Sequence, residues 1–236
     1  MFRKRFLFIF LALEILLQTS PAPLRALILG EADLSQMEIP PGNLAVARVN
    51  KADFDGNGTL ETFTLMEGRL YISSNGETLW QSPEGWNIRQ AAISDLNRDG
   101  IPEITLLLWR PFHPWPVDHW LPNGGRISEF HNSEGQSCHI ILIGWRFGGI
   151  HELWAGSAMA DPITSFAVAD LNGDKFQELI ALESSYADPI SAAAHTLKVW
   201  EWNGFGFTVV TSIDGAFANF TLVQTKKNGH ILILVP

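Results

Sequence analysis

Beyond residue 42, hydrophobic positions come in short runs separated by turn residues. The runs are Leu44-Ala45-Val46-Ala47-Arg48-Val49, Phe63-Thr64-Leu65, Ile88 to Ser94, Ile104 to Trp109, His139 to Trp145, His151 to Trp154, Ile163 to Ala169 and Leu179 to Leu182. Ala216 to Leu222 and His230 to Val235 complete the series. Short runs with β-branched and aromatic residues, partly alternating with polar ones, predict strands. No amphipathic helical stretch of comparable strength accompanies them. Asn-Gly pairs at 75–76, 123–124, 203–204 and 228–229 fall between runs, and Asn-Gly supplies the positive φ angles of a tight hairpin. The pattern predicts an all-β chain.

Three of the runs follow one repeated pattern: DFDGNGTLE from Asp53, DLNRDGIPE from Asp95 and DLNGDKFQE from Asp170. Positions 1, 3, 5 and 9 carry side-chain oxygens, namely Asp53, Asp55, Asn57 and Glu61, then Asp95, Asn97, Asp99 and Glu103, then Asp170, Asn172, Asp174 and Glu178. A loop that folds back at this spacing aims several oxygens at one centre, which suits Ca²⁺ with its six to eight oxygen ligands. The same residues also suit an Asx-rich turn that holds no ion.

Repetition speaks to architecture as well. From Asp53 to Asp95 is 42 residues and from Asp95 to Asp170 is 75, against about 40–45 for a four-stranded propeller blade. The first interval reads as one blade and the second as a blade with an insertion, in preference to two blades with one acidic loop lost. Residues 110–137, with four prolines and the Asn123-Gly124-Gly125 turn, are that insertion. Expected is a small β-propeller of four blades, one degenerate, over residues 42–236. The last blade, built from Ala216 to Leu222 and His230 to Val235, would take its missing strands from before Gly42 and so hide the edges of the ring.

Arg3-Lys4-Arg5 and the apolar run 6–17, interrupted by Glu14, read as a secretory signal over residues 1–20. The run is short of the roughly 20 residues that span a bilayer, but with no clean cleavage site it also suits a retained anchor attaching the chain to a membrane. Residues 21–41 read as a linker with one short strand. An extracytoplasmic location is expected. Cys138 is the only cysteine, so no intrachain disulfide forms, and bound metal is an alternative source of stability. Nine of the 25 acidic residues lie in the three loops, so the net charge of −9 is concentrated at candidate ligands. No basic stripe is visible, which argues against a nucleic-acid partner.

The acidic loop followed by Glu and an apolar run, with the Trp200 to Phe207 hairpin, resembles the FG-GAP or VCBS-type repeat. That repeat is the blade unit of integrin α-subunit propellers and of many secreted bacterial proteins. The resemblance covers residues 44–215. It implies that each loop joins the first two strands of a blade and wraps Ca²⁺, with the position-7 carbonyls of Thr59, Ile101 and Phe176 completing the three sets. An EF-hand matches less well: its closing acid stands at position 12, and a helix would have to follow. The third loop has Lys175 where the others have Gly58 and Gly100, and is expected to be the weakest site.

Trp109, Trp115 and Trp120, in or beside the insertion, offer faces that stack on sugars or seat a protein, although rings in such a loop also serve to cover a core. His113, Asp118 and His119 are near neighbours on a Pro-rich loop and are poorly placed to converge on a metal. No hydrolase elbow, phosphate loop or dinucleotide fingerprint appears, so the chain is not expected to be an enzyme. The expected function is a calcium-binding module that binds or scaffolds a protein or polysaccharide at the cell envelope. An accessory or catalytic domain of a polysaccharide-acting enzyme is the alternative.

Overall fold

The computed structural model describes residues 25–29, 34–37, 44–45, 50–113, 129–189, 192–225 and 230–235. These contain strands and no helix. In chain order the strands are β1 (Arg25–Leu29), β2 (Leu34–Met37), β3 (Leu44–Ala45), β4 (Lys51–Ala52), β5 (Glu61–Met66), β6 (Arg69–Ser74), β7 (Glu77–Gln81), β8 (Asn87–Ser94) and β9 (Glu103–Pro111). They continue with β10 (Gln136–Arg146), β11 (Gly149–Ala155), β12 (Ile163–Ala169), β13 (Glu178–Glu183), β14 (Ala194–Trp202), β15 (Phe207–Phe217), β16 (Thr221–Thr225) and β17 (Ile231–Val235).

Four antiparallel sheets form, arranged as the four blades of a β-propeller. Blade 1 is β4-β5-β6-β7, blade 2 is β8-β9-β10-β11 and blade 3 is β12-β13-β14-β15. Blade 4 is mixed in origin, with order β2-β1-β17-β16-β3. Strand β1 pairs with β17 through Ala26↔Leu234 and Leu27↔Ile233, so both chain ends build one sheet. The last blade thus draws strands from before Gly42, and residues 25–29 and 34–37 of the expected linker are part of it.

Two boundaries differ from the sequence pattern. Leu44-Ala45 does not lead into the first acidic loop but pairs with β16, covering an edge that would otherwise expose unpaired backbone groups. Ala216 to Leu222 is not one strand: Phe217 ends β15 opposite Ala194, and β16 begins at Thr221 after a turn.

Side chains alternate across the blades with period two, and both faces of the middle strands are buried. On β9 and β10, Ile104, Leu106, Leu108, Ile141 and Ile143 pack against Phe63, Leu70 and Ile72 of blade 1. The intervening Leu107, Cys138, Ile140 and Leu142 pack against Ile163, Phe166, Leu179 and Ala181 of blade 3. Ile180 and Leu182 on the other face of β13 meet Leu27, Leu29, Ile233 and Val235 of blade 4. Burial on both faces is why these runs read as nearly continuous apolar stretches.

Polar bonds fix the seam between blades 2 and 3. Gln90 on β8 accepts from the Phe166 N–H of β12 at 3.0 Å and donates its amide to the Phe166 carbonyl. One side chain thus acts as a strand partner across the seam. Farther out, Trp154 of β11 packs edge-on against Trp202 and Phe207 at centroid distances of 5.7 and 5.2 Å. The Trp200 to Phe207 stretch is the β14–β15 hairpin, with Asn203 Oδ1 accepting from the Phe205 and Gly206 N–H groups.

Gln90→Ala leaves the Phe166 N–H and C=O without these partners in a buried seam, and a buried group deprived of its partner costs about 1–3 kcal/mol. Urea unfolding is expected to show a loss of that size; an unchanged midpoint would contradict the bridging role.

Candidate metal loops

Each acidic loop connects the first strand of a blade to its second: β4 to β5, β8 to β9 and β12 to β13. All three therefore lie at one end of the propeller. Strands β9 and β10 meet at the opposite end, where Pro111 faces Gln136, and the sequence between them carries the aromatic insertion. Trp115 and Trp120 fall outside the described residues. Trp109 packs against the blade 2–3 seam, its ring edge-on to Tyr186 at 5.7 Å.

Loop shape follows from the repeated side chains. The position-9 glutamate reaches back to the N–H of position 2: Phe54 and Leu171 each donate to Glu61 and Glu178 at 2.8 Å, and Leu96 donates to Glu103 at 2.6 Å. The position-1 aspartate accepts from the N–H of position 6, which is Gly58, Gly100 or Lys175. Position 3 accepts from position 5, and position 5 from position 7, in every copy. These are Asx turns in series. Position 2 is the anchor, since Phe54, Leu96 and Leu171 are all buried.

The fold-back passes twice through left-handed backbone. Position 4 is Gly56 (φ 73°), Arg98 (φ 63°) or Gly173 (φ 84°), and position 6 is Gly58 (φ 86°), Gly100 (φ 80°) or Lys175 (φ 76°). Only the first copy has glycine at both positions. A non-glycine residue there costs on the order of 1–2 kcal/mol, so the second and third loops each hold one strained residue. The requirement at position 6 is legible from the two glycines; the one at position 4 is masked by Arg98.

Carboxylates converge in the first two copies. One oxygen from each of Asp53, Asp55 and Glu61, and one from each of Asp95, Asp99 and Glu103, lie within 4.8 Å of one another. Two oxygens bound to one Ca²⁺ at about 2.4 Å are at most about 4.8 Å apart, so these spacings fit a shared ion. An all-oxygen donor set favours a hard cation over a transition metal. Among the described residues the third copy forms no such three-carboxylate group. There Asn172 Nδ2 donates to both Asp174 and Glu178, at 3.2 and 3.4 Å.

Glu103 carries the strongest sign of a missing partner. Its residue is wholly buried. Oε1 accepts from the Leu96 and Asn97 N–H groups and the Ser94 hydroxyl, while the buried Oε2 has no hydrogen-bond partner. Leaving a buried carboxylate oxygen unpaired is costly unless a proton or a cation answers it. Burial raises the Glu103 carboxyl from 4.5 to about 7 despite the lowering effect of those hydrogen bonds, with the Asp95 charge adding to the rise. Glu178 is likewise raised to about 7, chiefly by burial.

Other sequence features have structural explanations. His139 is buried, bonded through Nε2 to Ser137 Oγ at 2.8 Å, and lowered to about 4 by burial and then by the Arg110 charge. Cys138 is buried with its thiol raised to about 12 by desolvation, and accepts from the Ile163 N–H at 3.4 Å. Phe147 and Phe205, which the sequence pattern does not single out, are each nearly 90% exposed at a hairpin tip. Both tips lie at the end of the acidic loops, because the β10–β11 and β14–β15 turns are on that side.

No protein-family model matches the chain, and no curated protein matches it in sequence.

A raised folded-state value means that the folded chain holds a proton between about pH 4.5 and 7 that the unfolded chain has released. The stability this provides is full below 4.5 and is lost as pH rises through 7. Glu103→Gln carries no charge, so in chelator its stability relative to wild type should improve between about pH 5 and 8, by up to about 3 kcal/mol. Urea titrations at the two pH values check this. A variant that gains nothing on wild type at pH 8 would contradict the buried, unanswered carboxylate.

Proposed function

We propose that the chain is an exported, calcium-stabilised β-propeller of the FG-GAP or VCBS type that binds a protein or polysaccharide at the cell envelope. The observation that carries the calcium reading is the second loop, where three carboxylates converge and the buried Glu103 Oε2 lacks a partner. The ligand sets are Asp53, Asp55, Asn57, Glu61 and the Thr59 carbonyl; Asp95, Asn97, Asp99, Glu103 and the Ile101 carbonyl; and Asp170, Asn172, Asp174, Glu178 and the Phe176 carbonyl. When bound, a cation neutralises the carboxylates, and the chain's own residues do the rest. The buried position-2 side chain and the position-9 glutamate hold each loop against the core, so that binding at the surface tightens the first two strands of a blade. The third loop is the weakest, because its carboxylates do not group and position 6 is Lys175, in left-handed backbone, where the other loops have glycine.

Support for export comes from the basic residues before the apolar run 6–17. Support for a binding role comes from Phe147 and Phe205, which the fold leaves exposed at one end, and from the Trp-rich sequence of the insertion, with Trp115 and Trp120. Large rings on the surface commonly anchor partners. Binding of a surface polysaccharide that is lost in Trp115→Ala and Trp120→Ala, with no products released, would support the binding module. Product formation would instead favour the polysaccharide-acting enzyme.

Thermal unfolding should rise with added Ca²⁺ relative to chelator, since a ligand of the native state stabilises it by about 2.7 kcal/mol at a hundredfold excess over Kd. Replacing Asp95 and Asp99 with Ala should remove more of that rise than replacing Asp170 and Asp174. The absence of any rise would sink the calcium reading, and the reverse order would overturn the ranking of the loops.

A further inference from the structure

Two of the three loops touch. Gln177, at position 8 of the third loop, accepts from the Asp95 N–H at position 1 of the second, at 2.8 Å. Arg98, at position 4 of the second loop, crosses the same gap. Its guanidinium stands 4.8 Å from the centre of the Phe176 ring, at position 7 of the third loop, and 3.7 Å from Glu201 at the end of blade 3. Among the described residues, no comparable hydrogen bond, ion pair or ring contact joins the first loop to either of the others.

The crossing is held against local cost. Arg98 occupies left-handed backbone, its buried Nε has no hydrogen-bond partner, and its Nη2 meets Glu201 only at ion-pair distance. A strained residue persists where its surroundings over-determine it. Here the surroundings are the third loop and blade 3, so the backbone of the second loop is set in part by its neighbour. The dependence runs both ways: Gln177 is adjacent to Glu178, and Phe176, two residues before it, supplies the carbonyl assigned to the third site.

We propose that the second and third loops bind calcium as a coupled pair, with occupancy of the second organising the third through Gln177 and Arg98, while the first loop binds independently. This rests on the calcium reading and deepens it. An ion drawing in Asp95, Asp99 and Glu103 fixes the Asp95 N–H and the path of Arg98. Those two groups then hold Phe176 and Gln177 where the third set needs them. The ordering cost of the third loop is met in advance, which is positive coupling without a large change of shape. By linkage, occupancy of the third loop strengthens the second by the same factor.

Each loop has a glycine that reports on it. The N–H groups of Gly58, Gly100 and Gly173 donate to Asp53, Asp95 and Asp170. In ¹⁵N-labelled protein titrated with Ca²⁺, these three amides give separate midpoints. Asp99→Asn weakens the second site but keeps an oxygen to accept from the Ile101 N–H, so it preserves the turn. It should raise the Gly173 midpoint about tenfold and leave the Gly58 midpoint unchanged. In a Gln177→Ala, Arg98→Gly background, which removes both links, alters no ligand side chain and puts at position 98 the residue the left-handed backbone favours, the same substitution should shift Gly173 by less than about twofold, as expected when the pair no longer interacts. A Gly173 midpoint indifferent to Asp99→Asn, or a Gly173 amide that ignores calcium while Gly100 responds, overturns the coupling and leaves the calcium reading standing. Silence at all three glycines overturns the calcium reading and the coupling with it.

Discussion

A buried glutamate closes each acidic loop, and the end of the propeller that carries these loops is organised around that fact. Glu61, Glu103 and Glu178 are each about 1% exposed or less, and each accepts the backbone N–H seven residues earlier. That bond pins the buried position-2 side chain and starts the second strand of the blade in register. It also leaves negative charge where water cannot reach it. An anion in such a place demands a proton, a donor or a cation. The third loop answers in part with the Asn172 amide and the charge of Arg98, whereas Glu103 keeps an oxygen unanswered. The three copies therefore share a backbone and differ in how their charge is met.

The seams explain how small blades stand together. Blade 2 is buried on both faces, and its contacts with blade 3 are the most varied: apolar packing, the Gln90 bridge, the Trp154 cluster and the Gln177 link between loops. These span the seam from the acidic-loop end inward, so a change in one loop has a direct physical route to its neighbour. Blade 4 depends on a different device, the pairing of β1 with β17, which ties residues near one end of the chain to residues near the other. Such long-range closure defers much of the favourable contact until the chain ends meet.

Most of the architecture was legible because the strands are buried on both faces and leave plain apolar runs, and because the acidic pattern marks the first turn of three blades. The Asn75-Gly76 turn was legible for the same local reason. Glu67-Gly68 and Phe147-Gly148 were not, although both adopt two successive positive φ values, because neither Glu nor Phe advertises a turn. The placement of β3 was hidden, since nothing in Leu44-Ala45 says which sheet edge lies nearby. In the loops the oxygen positions were readable from spacing. The buried anchor at position 2 and the left-handed requirement at position 4 were not, the latter because Arg98 replaces the glycine of the other two copies. The link from Gln177 to Asp95 joins residues 82 apart in sequence, and only the meeting of two blades brings it into being.

The central proposal is that the converging carboxylates of the second loop, with the unpartnered Glu103 Oε2 among them, form a calcium site. Crystals grown with Ca²⁺ and recorded at a long wavelength test it most directly. The account predicts an anomalous peak bounded by Asp95, Asp99 and Glu103, about 2.3–2.6 Å from their oxygens. A well-ordered second loop with no peak, and Glu103 Oε2 met by a protein donor, would contradict it.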